Sequence, residues 1–306
     1  MKTDIWLHRL GSLGRRFGSP IARSYKTGVR PNLEESIVKS LFGIALSLCV
    51  AAFSMQAHAS ADALSQIKSA GVIKIGVNTD YKPFGMRDQS GQIVGIEPDL
   101  ARDIGKRLGV KVEMVPVQPA NRIQFLQQGC IDVILASLTY NQERANVVDF
   151  IQPFYYAGGT GFIARKGSSF KNWTDLHGKT VCGVQGTYYN RAVSEKYGVN
   201  IAAFADLTQA INALMNNSCV GFVEDSTVTA QLLNDSKLKG FDAPLPPDDV
   251  QPWGLAVAKD NANTPLAKFL SGTVASWHKS GELLDLEKKW GLPRSDWLQA
   301  EHQKAM

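Results

Sequence analysis

The chain has 306 residues, 44% of them hydrophobic and 20% charged, enough for two ordinary domains and too apolar for wholesale disorder. Its net charge of +5 belongs to residues 1–59, where eight Lys/Arg face three Asp/Glu; residues 60–306 hold 25 of each sign. The neutral body gives no support for a nucleic-acid partner.

The first 59 residues read as an export signal. Leu41 to Met55 is an apolar stretch of 15 residues, short for a membrane span, which needs about 20. Lys39 precedes it, and Ala57-His58-Ala59 follows as a small-x-small site. Cleavage is expected after Ala59, with a periplasmic destination. Residues 1–37 are long for such a leader. Cys130, Cys182 and Cys219 lie beyond it. An oxidising compartment permits one disulfide and leaves one thiol over. The cysteines have no metal-ligand spacing, so neither a metal nor another cofactor is expected.

Asp62 to Ala70 reads as a short helix closed by Gly71, and Val72 to Val77 as a strand. At its carboxyl end Tyr81 and Phe84 are placed to wall a pocket. Asp88 to Gly91 is a turn. Gly95 opens a helix that runs to Leu108, with Pro98 in its first turn and Glu97 and Asp99 at the positive end of its dipole. Lys111 to Val117 alternates as a strand, and Asn121 to Gln128 is a helix. Ile131 to Leu135 reads as a buried parallel strand. Just past its end come Ser137, Thr139 and Arg144. Two hydroxyls and a guanidinium at a strand's carboxyl end suit an anion, a carboxylate above all.

The order so far, β-α-β-α-β, is that of a parallel sheet. Gly158-Gly159 is expected to break the next apolar run, with a new strand from Thr160 to Ala164. Trp173 to Leu176 (helix), Thr180 to Val184 (strand), Tyr188 to Tyr197 (helix) and Asn200 to Phe204 (strand) follow. Leu207 to Met215 (helix), Cys219 to Val223 (strand) and Ser226 to Leu233 (helix) complete a second α/β unit. Pro244 to Pro252 reads as a stiff, acidic connector. Trp253 to Ala258 returns as a strand before closing helices at Pro265 to His278 and Glu282 to Trp290.

Six stretches in order carry a family resemblance. Gly95-Ile96-Glu97-Pro98-Asp99-Leu100 resembles the signature of polar amino-acid solute-binding proteins of bacterial ABC transporters, although an aliphatic residue is usual where Pro98 stands. Gly129 with Asp132, Ser137-x-Thr139, Glu143-Arg144 and the run from Asp149 to Tyr155 are similar to the family's central block. Gln185-Gly186-Thr187 and Glu224-Asp225 resemble its second-lobe ligand loops, and Gly281 to Trp290 its closing helix. The resemblance covers about residues 64–292.

It implies a two-lobed α/β fold of the type II periplasmic-binding-protein class, with the ligand between the lobes. The first lobe would be 60–156 with 254–300, the second 160–250, and 301–306 a tail. Two hinge crossings would fall near Ala157-Gly158 and Gln251-Trp253. It implies a ligand set of Asn78, Tyr81, Phe84, Arg122, Ser137, Thr139, Arg144, Gln185, Thr187 and Asp225. Arg144 and Thr139 would take the α-carboxylate, helped by backbone N–H groups at Thr187, and Asp225 with Ser137 the α-ammonium. Read alone, Asp225 is a helix N-cap, and Glu224 a strand residue pointing away. The neutral Asn78 argues against a basic ligand. Arg122 resembles an arginine that meets the side chain in glutamate/aspartate binders, so those acids are favoured, with a broader polar range beside them.

Some broad-specificity members carry a cysteine pair like Cys182 and Cys219, so a 182–219 disulfide is expected, with Cys130 a buried thiol. The partners implied are a small L-amino acid and a membrane permease, with the protein itself a monomer. The competing readings are a periplasmic enzyme on the same fold, dehydratase-like, and an amino-acid sensory receptor. Neither a catalytic residue nor a recognised catalytic motif stands out.

Overall fold

The computed structural model describes residues 62–306; the leader and its cleavage site lie outside them. Helix α1 (Ala63–Ala70) starts on Asp62, whose carboxylate accepts from the N–H groups of Leu64 and Ser65, and ends at Gly71 with φ 67°. Strand β1 (Val72–Val77) alternates into the core. A small antiparallel sheet follows, formed by β2 (Asp80–Tyr81), β3 (Gly85–Arg87) and β4 (Ile93–Val94). Helix α2 (Ile96–Leu108) buries Ile96, Leu100, Ile104 and Leu108, spaced on one face. Then come β5 (Lys111–Pro116), α3 (Arg122–Gln127), β6 (Val133–Ile134), α4 (Gln142–Val147) and β7 (Val148–Phe150).

Strand β8 (Tyr156–Arg165) carries the chain into the second sheet. It is followed by β9 (Thr180–Val184), α5 (Tyr188–Tyr197), β10 (Asn200–Phe204), α6 (Leu207–Met215), β11 (Gly221–Asp225), α7 (Ser226–Leu232), β12 (Phe241–Asp242) and β13 (Asp248–Trp253). The chain returns through β14 (Ala256–Ala258) to α8 (Pro265–Ser280), α9 (Glu282–Lys289) and α10 (Asp296–Ala305). The first sheet has the order β5-β1-β6-β14-β7, the second β10-β9-β11-β8-β12 with β13 also on β8. In each, the strands joined by helices are parallel, and a returning strand is antiparallel. This is the two-lobed type II arrangement, with the carboxyl ends of β1, β6, β9 and β11 supplying the segments that meet between the lobes.

Four local expectations need correction. Gly158 and Gly159 do not break a strand, since β8 runs through both. A Cβ on Gly158 would stand 1.8 Å from Asp225 Oδ2 and 2.7 Å from Trp253 Cζ2, so glycine there permits a close approach. The proline-rich stretch is not a connector throughout: Asp248 to Trp253 forms β13, where Pro252 sits opposite Ala157. Within the sheet β13 pairs with β8, and on its other side the Pro252 carbonyl accepts from the Tyr140 N–H at 2.8 Å, a bond that needs no N–H from the proline. Residues 301–306 are not a tail, because α10 runs to Ala305, capped by Ser295 and anchored by fully buried Leu298. Cys130 is exposed, not buried. It follows the positive-φ turn at Gly129, before the paired part of the strand begins at Val133.

Strands β8 and β13 lie side by side where the chain crosses between the sheets. Tyr156 and Trp253 are cross-strand partners there, and the ring of Phe84 meets both edge-on, at 5.0 and 4.8 Å between centroids. The Tyr156 hydroxyl donates to Glu287 Oε1 of α9 at 2.7 Å. Cys182 and Cys219 form the expected disulfide, 37 positions apart, tying β9 to the approach to β11.

Candidate functional site

The site is a cavity between the sheets. Asn78, Tyr81, Pro119, Arg122, Ser137 and Thr139 line it from the first lobe, and Thr187, Tyr188, Tyr189 and Glu224 from the second. The space is small, about 10 Å³, room for about one water. Tyr81 closes it by donating its hydroxyl to Glu224 Oε1 at 2.8 Å, a bond between two buried side chains. A larger groove of about 620 Å³ lies outward, lined by Ile123, Arg144, Arg191 and others. Thr187 and Tyr188 line both spaces.

Local geometry explains how the first-lobe groups reach the site. Ser137 leaves the carboxyl end of β6 with φ 49°, an uncommon conformation for a residue with a Cβ. Its N–H and its hydroxyl both donate to Glu97 Oε1 at 2.6 Å, and Tyr155 donates to the same oxygen at 2.7 Å. Burial pushes Glu97 up to about 7 against these bonds. Glu97, near the start of α2, thus holds the bend that delivers Ser137 and Thr139. Asn78 Nδ2 reaches Ser137 Oγ at 3.4 Å.

Two arginines stand near one another. Arg122 is only 3% exposed and donates to the Ala136 carbonyl. Arg144, half-buried, donates to the carbonyls of Thr139 and Gly186 at 2.7 and 2.8 Å, the second in the other lobe. Burial, and then the positive charge of Arg122, bring Arg144 down to about 9. An anion beside them would relieve both effects.

In the second lobe, Asp225 ends β11 and caps α7. Its Oδ1 accepts from the N–H groups of Thr227 and Val228, and its Oδ2 accepts from Tyr189 Oη at 2.9 Å. Asp225 is fully buried and does not line the cavity. Glu224, expected to point away, enters the cavity instead. The Asp225 N–H donates to its Oε1 at 3.1 Å, and desolvation pushes its carboxyl up to about 8.

Of the ten residues expected to bind ligand, Asn78, Tyr81, Arg122, Ser137, Thr139 and Thr187 meet at the cavity. Arg144 stands in the outer groove, and Asp225 behind Tyr189. Phe84 lies in the crossing-strand core, and Gln185 is exposed, its Nε2 toward the Ala203 carbonyl at 3.5 Å. Sequence reasoning missed Tyr189 and Glu224. Tyr189 had a readable signal, an aromatic residue in the first turn of a helix that starts in a ligand loop.

A pair of lobes closing on a cavity lined by hydroxyls, a guanidinium and a carboxyl defines a small-molecule binding protein. The chain belongs to the bacterial extracellular solute-binding proteins, family 3, whose pattern matches residues 73–293. It is 29% identical over 235 residues to the ABC transporter glutamine-binding protein GlnH of Bacillus subtilis (strain 168), covering 75% of this chain and 84% of that one. Among solved structures, it is similar to the cysteine-binding protein from Campylobacter jejuni, with TM-score 0.70, 27% identity and coverage of 75% and 92%. It is also similar to the ancestral amino acid-binding protein AncCDT-1, a precursor of cyclohexadienyl dehydratase, with TM-score 0.66, 29% identity and coverage of 74% and 98%.

Proposed function

We propose that this protein binds a polar L-amino acid between its lobes in the periplasm and delivers it, as a monomer, to the permease of an ABC transporter. The observation that carries this reading is the single cavity in which Tyr81, Arg122, Ser137 and Thr139 of one lobe face Thr187, Tyr189 and Glu224 of the other. As the lobes part around a ligand, Arg144 exchanges its carbonyl partners for the α-carboxylate, which it grips bidentately beside Thr139. Asp225 exchanges the Tyr189 hydroxyl for the α-ammonium, and Tyr81 covers the ligand. Among the described residues no helix is long and apolar enough to cross a membrane, and an export signal in residues 1–59 accounts for the destination.

The Arg122 guanidinium supports glutamate or aspartate within that range. Glu224, sharing the same cavity, supports the broader polar range over a strict acidic preference. Calorimetric titration with the twenty L-amino acids tests the reading. Tight one-site binding of polar members is expected, and silence toward all of them would refute it.

One observation favours a second reading. Glu224 is a buried carboxyl held largely protonated at neutral pH, the form a general acid takes. A dehydratase-like enzyme would use it to protonate a leaving hydroxyl. Bound amino acid recovered unchanged after long incubation argues for the binding protein, and a dehydrated product from a candidate substrate for the enzyme.

A further inference from the structure

Three buried polar atoms around the cavity have no hydrogen-bond partner among the described residues: Arg122 Nε, Asn78 Oδ1 and Glu224 Oε2. Their residues line the same small space. All three side chains are at most 3% exposed, so water does not satisfy these atoms from outside. Arg122 Nε is a donor, Asn78 Oδ1 is an acceptor, and Glu224 Oε2 is an acceptor once its carboxyl is ionised. Leaving such atoms unmatched is costly: one water in the closed cavity can meet all three, and the ligand group that replaces it without loss has a single strong acceptor and two N–H donors.

This rests on the amino-acid-binding reading above. We propose that the side-chain end of the site is a carboxamide subsite. Arg122 Nε donates to the ligand's amide oxygen, while Asn78 Oδ1 and, in its ionised form, Glu224 Oε2 accept from its NH2. Glutamine and asparagine are then preferred to glutamate and aspartate. Arg122 alone would suit a carboxylate. Glu224 changes that balance: once ionised, it sets a like charge against an acidic side chain in a water-poor space, whereas a neutral amide satisfies both groups. A site built to bond an N–H also rejects an analogue that lacks it.

The charged and titratable groups around Glu224 are Tyr81 from β2, Arg122 from α3, Tyr189 from α5 and Asp225 beside it on β11. Desolvation brings its carboxyl up to about 8, so its ionised form is tested above that pH. The exported protein is titrated with L-Gln, L-Asn, L-Glu and L-Asp by calorimetry at about pH 8.5 and pH 6.5. At the higher pH, L-Gln or L-Asn is expected to bind about tenfold or more tighter than its acid. The ratio shrinks at the lower pH, where Glu224 holds its proton. Glu224→Gln, close in shape, should let the acid regain affinity and flatten the pH dependence. Glu224→Leu should weaken the amide ligand further. An acid preferred at both pH values, or a ratio untouched in both variants, overturns the subsite while leaving amino-acid binding intact. Absence of binding by every amino acid overturns both.

Discussion

Gly158→Ala joins the fold to the site. The added Cβ would stand 1.8 Å from Asp225 Oδ2 and 2.7 Å from Trp253 Cζ2. Both neighbours are fully buried, so neither moves aside freely. Overpacking of this kind costs about 1–3 kcal/mol. Disturbing the bond from Tyr189 to Asp225 leaves buried polar groups poorly matched and adds about 1–3 kcal/mol. The total is about 2–6 kcal/mol, and in a body of this size it lowers the melting temperature by roughly 5–20 °C. Amino-acid affinity should fall in the same variant, because Asp225 is displaced. Gly272→Ala is the comparison: nothing lies within 4 Å of its added Cβ, and an exposed helix position gains up to about 1 kcal/mol. Thermal melts by circular dichroism and calorimetric titration read both effects. A Gly158→Ala protein melting within about 2 °C of wild type, with native affinity, would refute the close-approach argument.

Arg144→Ala and Asp225→Ala should each cost about 2–5 kcal/mol of amino-acid affinity, Asp225→Ala with a lowered melting temperature as well because it removes the α7 cap and the partner of Tyr189; near-native binding by either variant removes that residue from the site. The affinity for L-glutamate should fall as pH rises through about 8, because Glu224 is neutral below that value and charged above it. Titrations at several pH values would show no such slope if Glu224 lay outside the ligand's reach. Replacing Cys182 and Cys219 together with alanine should lower stability by roughly 3–4 kcal/mol for a loop of this length. Peptide mapping of exported protein without reductant should recover the two as a joined pair, and free thiols at both positions would contradict it.

The sequence carried the elements whose pattern is local. Helix α5 spans the expected Tyr188 to Tyr197, and β1 and β9 fall where their apolar runs do. The cysteine pair was legible through the family resemblance, and it closes because β9 and β11 are sheet neighbours. What escaped depended on partners distant in the chain. The two glycines of β8 looked like a break, because the approach of Asp225 and Trp253 is invisible locally. Prolines before Trp253 masked a strand, since nothing in their own stretch reveals that Pro252 is asked only for its carbonyl by Tyr140.

The site followed the same division. Ser137 and Thr139 were found because they follow a strand end, and Arg122 through the family resemblance. Glu224 was misread because the site position was given to its neighbour Asp225, which instead caps α7 and accepts from Tyr189, leaving the opposite face of the strand to bring Glu224 to the cavity. The strand was expected over Cys219 to Val223 and runs over Gly221–Asp225, so both carboxylates lie within it. Phe84 was placed in the right loop, but its ring turns to Tyr156 and Trp253, a choice made by the crossing strands.

The most direct test of the account is a calorimetric titration of the exported wild-type protein and its Arg144→Ala variant with polar L-amino acids, with the ligand recovered afterwards and examined chemically. The account predicts one-site binding by the wild type, near loss of binding in the variant, and ligand recovered unchanged. Wild-type protein that binds none of them, or that returns a dehydrated product, would contradict it.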